Sequence, residues 1–132
     1  MSDQIAVVFD ASALTAYLEG NVSVGELMLE VGEEGRQVAI PATCLAAAYA
    51  SVADEIDAAL LALMIAAPMI RLLPLASEDV QQTGKLARSV DGDISFGHAA
   101  HAALTHEAHY ATAQPTAAAK VLPTNWSILE VV

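Results

Sequence analysis

The chain has 132 residues, of which 55% are hydrophobic and 16% charged, and its sixteen acids against five bases leave a net charge of −11. Residues 1–132 make one domain, because half that length would bury too little surface for a core of its own, and the hydrophobic content excludes disorder. Tight nonspecific nucleic-acid binding is disfavoured, since it rests on Lys and Arg neutralising phosphates, and Arg36, Arg71, Lys85, Arg88 and Lys120 lie scattered along the sequence.

Twenty-eight alanines lift the mean hydropathy to +0.48 while adding little bulk. The longest apolar run, Ala58 to Ile70, has 13 residues, is interrupted by Pro68 and stops at Arg71, whereas a membrane span needs about 20. No membrane partner is therefore expected. The opening Met-Ser-Asp-Gln has no basic region ahead of an apolar stretch, which predicts no secretory signal. Cys44 is the only cysteine, so no internal disulfide forms, and a reducing cytoplasm is the expected location.

In chain order, Ile5–Phe9 is a continuous apolar, β-branched run that predicts a strand buried on both faces. It ends at Asp10, and a helix-forming stretch from Ala11 runs out near Gly20. Ser23 with Glu26 three residues on has the pattern of a capping box, predicting a second, amphipathic helix ended by Gly35. Gln37–Ile40 predicts a second strand, and Pro41 opens an alanine-rich helix. Asp54, Glu55 and Asp57 favour a helix start through the helix dipole, and that helix runs to about Ala66 before Pro68. Ile70–Leu73 predicts a third strand, Ser77 to about Ser89 a helix, and Asp91-Gly92-Asp93 a turn into a helix over Ile94–His106. Tyr110–Ala113 is a fourth strand ending before Gln114-Pro115, and Ser127–Val132 a last one tied into the sheet. Short apolar strands alternating with helices predict an α/β fold, a three-layer α/β/α sandwich around a central parallel sheet. Sites in such sheets form beyond the carboxyl ends of the strands, which directs attention to Asp10, Pro41, Gln114 and the helix after Asp93.

Val8-Phe9-Asp10-Ala11-Ser12-Ala13-Leu14 places a carboxylate at the end of a buried strand, followed by a serine opening a helix. This segment resembles the first motif of PIN domains. Ile40-Pro41 with its alanine-rich helix resembles the second, Gly92 to Ala103 the third, and Tyr110-Ala111-Thr112-Ala113-Gln114-Pro115 the fourth. The resemblance spans nearly the whole chain and is closest to the single-domain VapC-type toxin ribonucleases of bacterial toxin–antitoxin pairs. It implies an antitoxin-like protein partner, an RNA substrate, and carboxylates that hold Mg²⁺ or Mn²⁺. It also implies binding roles for Ser12, Thr112 and Gln114, with Thr112 beside Asp10.

Asp10 matches the first acid of that family. The second, six residues after Pro41, falls on Ala47; the third, two before His98, on Phe96; the fourth, after Thr112-Ala113, on Gln114. Mg²⁺ needs hard oxygen ligands and gives up its water reluctantly, so one carboxylate in four predicts a degenerate site. Asp10 reads as a metal ligand and catalytic acid or as the cap of the helix that follows it. Asp93, three residues before Phe96 and so on its helix face, reads as a catalytic carboxylate moved by one turn or as a helix cap. Glu19 is a further acid that can assist.

His98 and His101 are spaced by three, as are His106 and His109; zinc sites use such spacings, but surface or cap positions are the expectation because no acid or thiol completes a set. Ser12 lies in no nucleophile motif and reads as a capping hydroxyl. Cys44, in an alanine-rich helix, reads as a small buried hydrophobe. The favoured function is a non-catalytic or nearly inactive PIN-like protein acting through protein contacts, as a homodimer or with an antitoxin-like partner. The alternative is a Mg²⁺- or Mn²⁺-dependent endoribonuclease of reduced activity that uses Asp10, Asp93 and Glu19.

Overall fold

A computed structural model describes residues 4–131 of the chain. The elements run β1 (Ile5–Phe9), α1 (Ala11–Leu18), α2 (Val22–Glu33), β2 (Gln37–Pro41), α3 (Ala42–Ser51), α4 (Glu55–Ile65), β3 (Ile70–Leu73), α5 (Val80–Ala87), α6 (Ile94–His106), β4 (His109–Thr112), α7 (Pro115–Val121) and β5 (Ile128–Glu130). The strands form one sheet in the order β3-β2-β1-β4-β5, every pair parallel. The chain steps outward from β1 to β3, then returns to place β4 on the other side of β1. With right-handed crossovers, that reversal puts helices on both faces of the sheet. The three-layer α/β/α fold is the one the alternation predicted.

Burial explains the strand composition. All five residues of β1 are buried, as are Val38, Ala39 and Ile40 of β2 and Tyr110 and Ala111 of β4. Such strands must be apolar on both faces. Helix α6 buries Phe96, Gly97, His98, Ala99, Ala100, Ala102 and Ala103, and its small side chains let neighbouring elements approach closely. Asp54 Oδ1 accepts from the Asp57 N–H at 2.8 Å, so the acidic start of α4 is a true N-cap.

Several boundaries differ from expectation for local reasons. Asn21, not Ser23, caps α2: its Oδ1 accepts from the Ser23 N–H at 2.9 Å, and the Ser23 hydroxyl turns back to the same oxygen. The helix expected from Ser77 divides into a 3₁₀ turn at Ser77–Asp79, α5, and a second 3₁₀ turn at Arg88–Val90. Strand β4 begins at His109, paired with Val7, and releases Ala113, whose N–H turns to the Ser12 hydroxyl at 2.8 Å. The last strand is shorter than expected, and Val132 lies outside the described residues. Helix α7 was not anticipated. Gln114-Pro115 reads as a strand stop, yet Pro115 occupies the first turn, where its missing N–H costs nothing, and Ala118 and Val121 bury the inner face.

Candidate functional site

The reversal of strand order falls between β1 and β4, so their carboxyl ends open the crevice in which doubly wound sheets hold ligands. Asp10 leaves β1 there, and Thr112-Ala113-Gln114 leaves β4 beside it. The topology thus gathers Asp10, Ser12, Thr112 and Gln114 at one point, with Thr112 near Asp10 as the resemblance implied.

Asp10 is 1% exposed and is the N-cap of α1, its Oδ1 accepting from the Ala13 N–H at 2.9 Å and from the Ser12 hydroxyl at 2.6 Å. The cap is therefore Asp10 and not Ser12, as the sequence had suggested for the serine. Ser12 instead ties the ends of two strands together. Its Oγ lies 3.0 Å from the Thr112 Oγ1 and accepts from the Ala113 N–H, while Thr112 Oγ1 accepts from the Gln114 N–H at 2.9 Å. Asp10 Oδ2 is buried without a hydrogen-bond partner, and so is the Tyr110 hydroxyl. The two groups face one another closely enough for each to alter the other's proton affinity, but not in hydrogen-bonding geometry. Burial raises the Asp10 carboxyl above its ordinary range, an effect opposed by the bonds from the Ser12 hydroxyl and the Ala13 N–H and by the nearby hydroxyls of Thr112 and Tyr110. Burial, reinforced by the charge of Asp10, holds the Tyr110 phenol well above its ordinary value.

Asp93 is exposed and caps α6, its Oδ1 accepting from the Phe96 N–H at 3.2 Å and the Ser95 hydroxyl at 2.7 Å. Phe96 turns inward and stacks on Tyr110, with ring centroids 6.2 Å apart and planes at 19°. Ala47 is half-buried on α3, and Gln114 is exposed. Two open cavities meet at Gln114. One of about 900 Å³ is lined by Ser12, Thr15, Glu19, Asn21 and Glu26; the other, of about 380 Å³, by Asp91, Asp93, Phe96 and Lys120. Glu19 thus borders the same crevice as Ser12. Among the described residues no three His, Cys, Asp or Glu side chains gather as a group that could hold a metal ion.

The histidines divide. His98 is 2% exposed, which corrects the surface or cap expectation for it: its Nδ1 lies 2.8 Å from the Thr43 Oγ1, pinning α6 to α3. Burial lowers its proton affinity, against a raising hydrogen bond to the Pro74 carbonyl. His101 bonds Asp79 at 2.9 Å, His106 lies in the last turn of α6, and His109 bonds the Ser127 hydroxyl. Cys44 is fully buried and donates weakly to the Ser95 carbonyl at 3.2 Å, and burial pushes its thiol up, as suits an inert core residue. Sequence reasoning missed Tyr110. The available signal was a large aromatic with a hydroxyl in a strand otherwise made of His, Ala and Thr.

No protein-family model matches the chain, and no curated protein matches it in sequence. Solved structures do match. A chain of VapBC2 from Rickettsia felis, bound to a DNA fragment from its promoter, superposes with a TM-score of 0.71 over 97% of this chain and 100% of that one, at 11% identity. A chain of FitAB bound to an IR36 DNA fragment gives 0.64 over 94% of each chain, at 15% identity. At such identity the likeness speaks for architecture, and the architecture is a PIN-like α/β fold.

Proposed function

We propose that the chain is a PIN-like protein that acts through protein–protein contacts and whose nuclease cleft is degenerate. The observation that carries this reading is an apolar face that none of the described residues covers. Helix α4 exposes Ile56 (72%) in its first turn and Leu63 (68%) two turns on, with only apolar residues from Ala58 onward, and the neighbouring α2 adds Val22 at 69% and Leu29 at 61%. A shallow cavity of about 470 Å³ lies between the two helices, lined by Val22, Gly25, Leu29 and Leu60 with Asn21 and Glu26 at its polar side. Contiguous exposed apolar surface of this kind marks contact sites. The structural neighbours are themselves parts of complexes, VapBC2 and FitAB, which supports an antitoxin-like partner beside self-association.

The donor set at the crevice supports the other half of the reading. A divalent cation such as Mg²⁺ or Mn²⁺ is held through carboxylates and retained water. Here Asp10 is the one acid at the four family positions, buried and spending one oxygen on a helix cap, with Ala47, Phe96 and Gln114 at the rest. These residues do not fit such an ion.

A second reading keeps a specific observation. Asp93 caps α6 through Oδ1 alone and borders the crevice with Phe96 and Gln114, as Glu19 does from the other side. This is the weak Mg²⁺- or Mn²⁺-dependent endoribonuclease.

Light scattering tests the contact role. The expected result is a species of twice the 13.7 kDa chain mass that reverts to monomer in the double variant Ile56→Lys, Leu63→Lys. A monomer at every concentration rejects the homodimer. A dimer indifferent to both substitutions moves the contact away from this face.

A further inference from the structure

The two buried orphans at the crevice lead to an inference about what occupies the place of the family's metal. Asp10 Oδ2 and the Tyr110 hydroxyl each have almost no contact with solvent and no partner. Such groups are costly, because each has surrendered its water without compensation. They are also complementary: a carboxylate oxygen only accepts, and a phenol has a proton to donate.

Among the described residues, the hydrogen-bonding neighbours of Asp10 are already engaged. Phe96 closes one side by stacking on Tyr110. The remaining neighbours of Asp10, namely Ser12, Thr112 and the Ala13 N–H, are engaged with one another or with Oδ1. Tyr110 sits in β4, held directly beside β1 by the Val8–Tyr110 pairing. We propose that the Tyr110 hydroxyl is the electropositive partner of Asp10 Oδ2, donating to it in the place a divalent cation would take, so that Asp10 is a structural acid joining β1, α1 and β4.

A hydroxyl proton is sufficient for one carboxylate oxygen, where a hydrated dication needs several. Phe96 then has a definite role. It packs against the phenol and, standing where the family has its third acid, offers a cation no oxygen. A further consequence concerns substitution: asparagine at position 10 keeps the accepting oxygen for Ala13 and Ser12 and offers its amide to the Tyr110 oxygen, whereas alanine loses both.

The inference rests on the non-hydrolytic reading of the cleft, and its test separates the two. Thermal unfolding of the full chain is compared for the wild type, Asp10→Asn, Asp10→Ala and Tyr110→Phe, and free Mn²⁺ is followed by electron paramagnetic resonance as wild-type protein is added. The expected results are an unchanged or higher Tm for Asp10→Asn, a Tm lowered by about 3–8 °C for Tyr110→Phe and for Asp10→Ala, and no saturable Mn²⁺ site tighter than millimolar. Tyr110→Phe that unfolds at or above the wild-type temperature overturns the hydrogen bond. A saturable Mn²⁺ site lost in Asp10→Asn overturns the replacement of the metal, and the wild-type titration decides this even where a variant fails to fold. Mn²⁺ binding without RNA cleavage sinks this inference alone, while cleavage that depends on Asp10 sinks the reading beneath it.

Discussion

Gly97→Ala lowers the stability of the fold by about 3 kcal/mol, the upper part of the range for overpacking a closed interface. Gly97 lies on α6 where it meets α5, and a Cβ there would stand 2.2 Å from the Thr83 carbonyl oxygen and 3.1 Å from the Ala87 nitrogen and Cβ. The obstacle is helix backbone, so no side-chain rotation relieves it. Either the two helices separate, uncovering Thr83 and Ala87 (each 1% exposed), or α6 rotates and pulls His98 from Thr43. The glycine itself costs about 1 kcal/mol in helix propensity relative to alanine, so the substitution also carries a local gain, and the clash must exceed it. The expected result, by circular dichroism, is a Tm about 10 °C below wild type. A Tm within about 2 °C of wild type means that the α5–α6 spacing is wrong. Gly84→Ala is the control: it lies on α5 with open space around a Cβ and should be neutral or stabilising.

Ser12→Ala costs about 2 kcal/mol although its side chain is small and only part-buried. The Ser12 hydroxyl donates to Asp10, meets Thr112 and accepts from the Ala113 N–H, thereby connecting segments one hundred residues apart in sequence. Removing it strips Asp10 Oδ1 of one of its two donors and leaves Thr112 short of a partner. A typical net hydrogen bond contributes about 1 kcal/mol, one to a charged group about 1.5–3, and the exposed Ala113 amide recovers part of its loss from water. Urea unfolding should give a lower midpoint with an unchanged m-value, because the surface exposed on unfolding is the same. Ser23→Ala, which removes an exposed hydroxyl that bonds only Asn21, should shift the midpoint by less than a quarter as much. Equal shifts for the two variants would contradict the strand-linking role given to Ser12.

What could be read in the sequence depended on how local the cause was. Ile5–Phe9 and Ile70–Leu73 are bounded apolar runs, and Ile94–His106 follows an Asp-Gly-Asp turn, so each element carries its own boundary signal and emerged as predicted. Helix α7 carried a misleading one, since Gln-Pro marks both the end of a strand and the first turn of a helix. Asn21 and Ser23 compete for the same cap, and sequence alone does not decide between an Asx and a capping-box start. At the crevice, Asp10 was legible because an acid after a buried strand is conspicuous. Its dependence on Ser12, Thr112 and Tyr110 was only partly legible, since Tyr110 reaches Asp10 through the pairing of β1 with β4 and no local pattern reports that pairing. His98 was misplaced for a similar reason. A histidine on an alanine-rich helix reads as polar and exposed until α3 brings Thr43 to its Nδ1.

The central claim is that this PIN-like fold works by contact and not by hydrolysis. Its most direct test is cleavage of single-stranded and structured RNA in Mg²⁺ and in Mn²⁺ by the wild type and by Asp10→Ala prepared in parallel. The account predicts equal, background rates for the two proteins on every substrate and with either ion. Metal-dependent cleavage by the wild type that disappears in Asp10→Ala would contradict it and establish the endoribonuclease reading in its place.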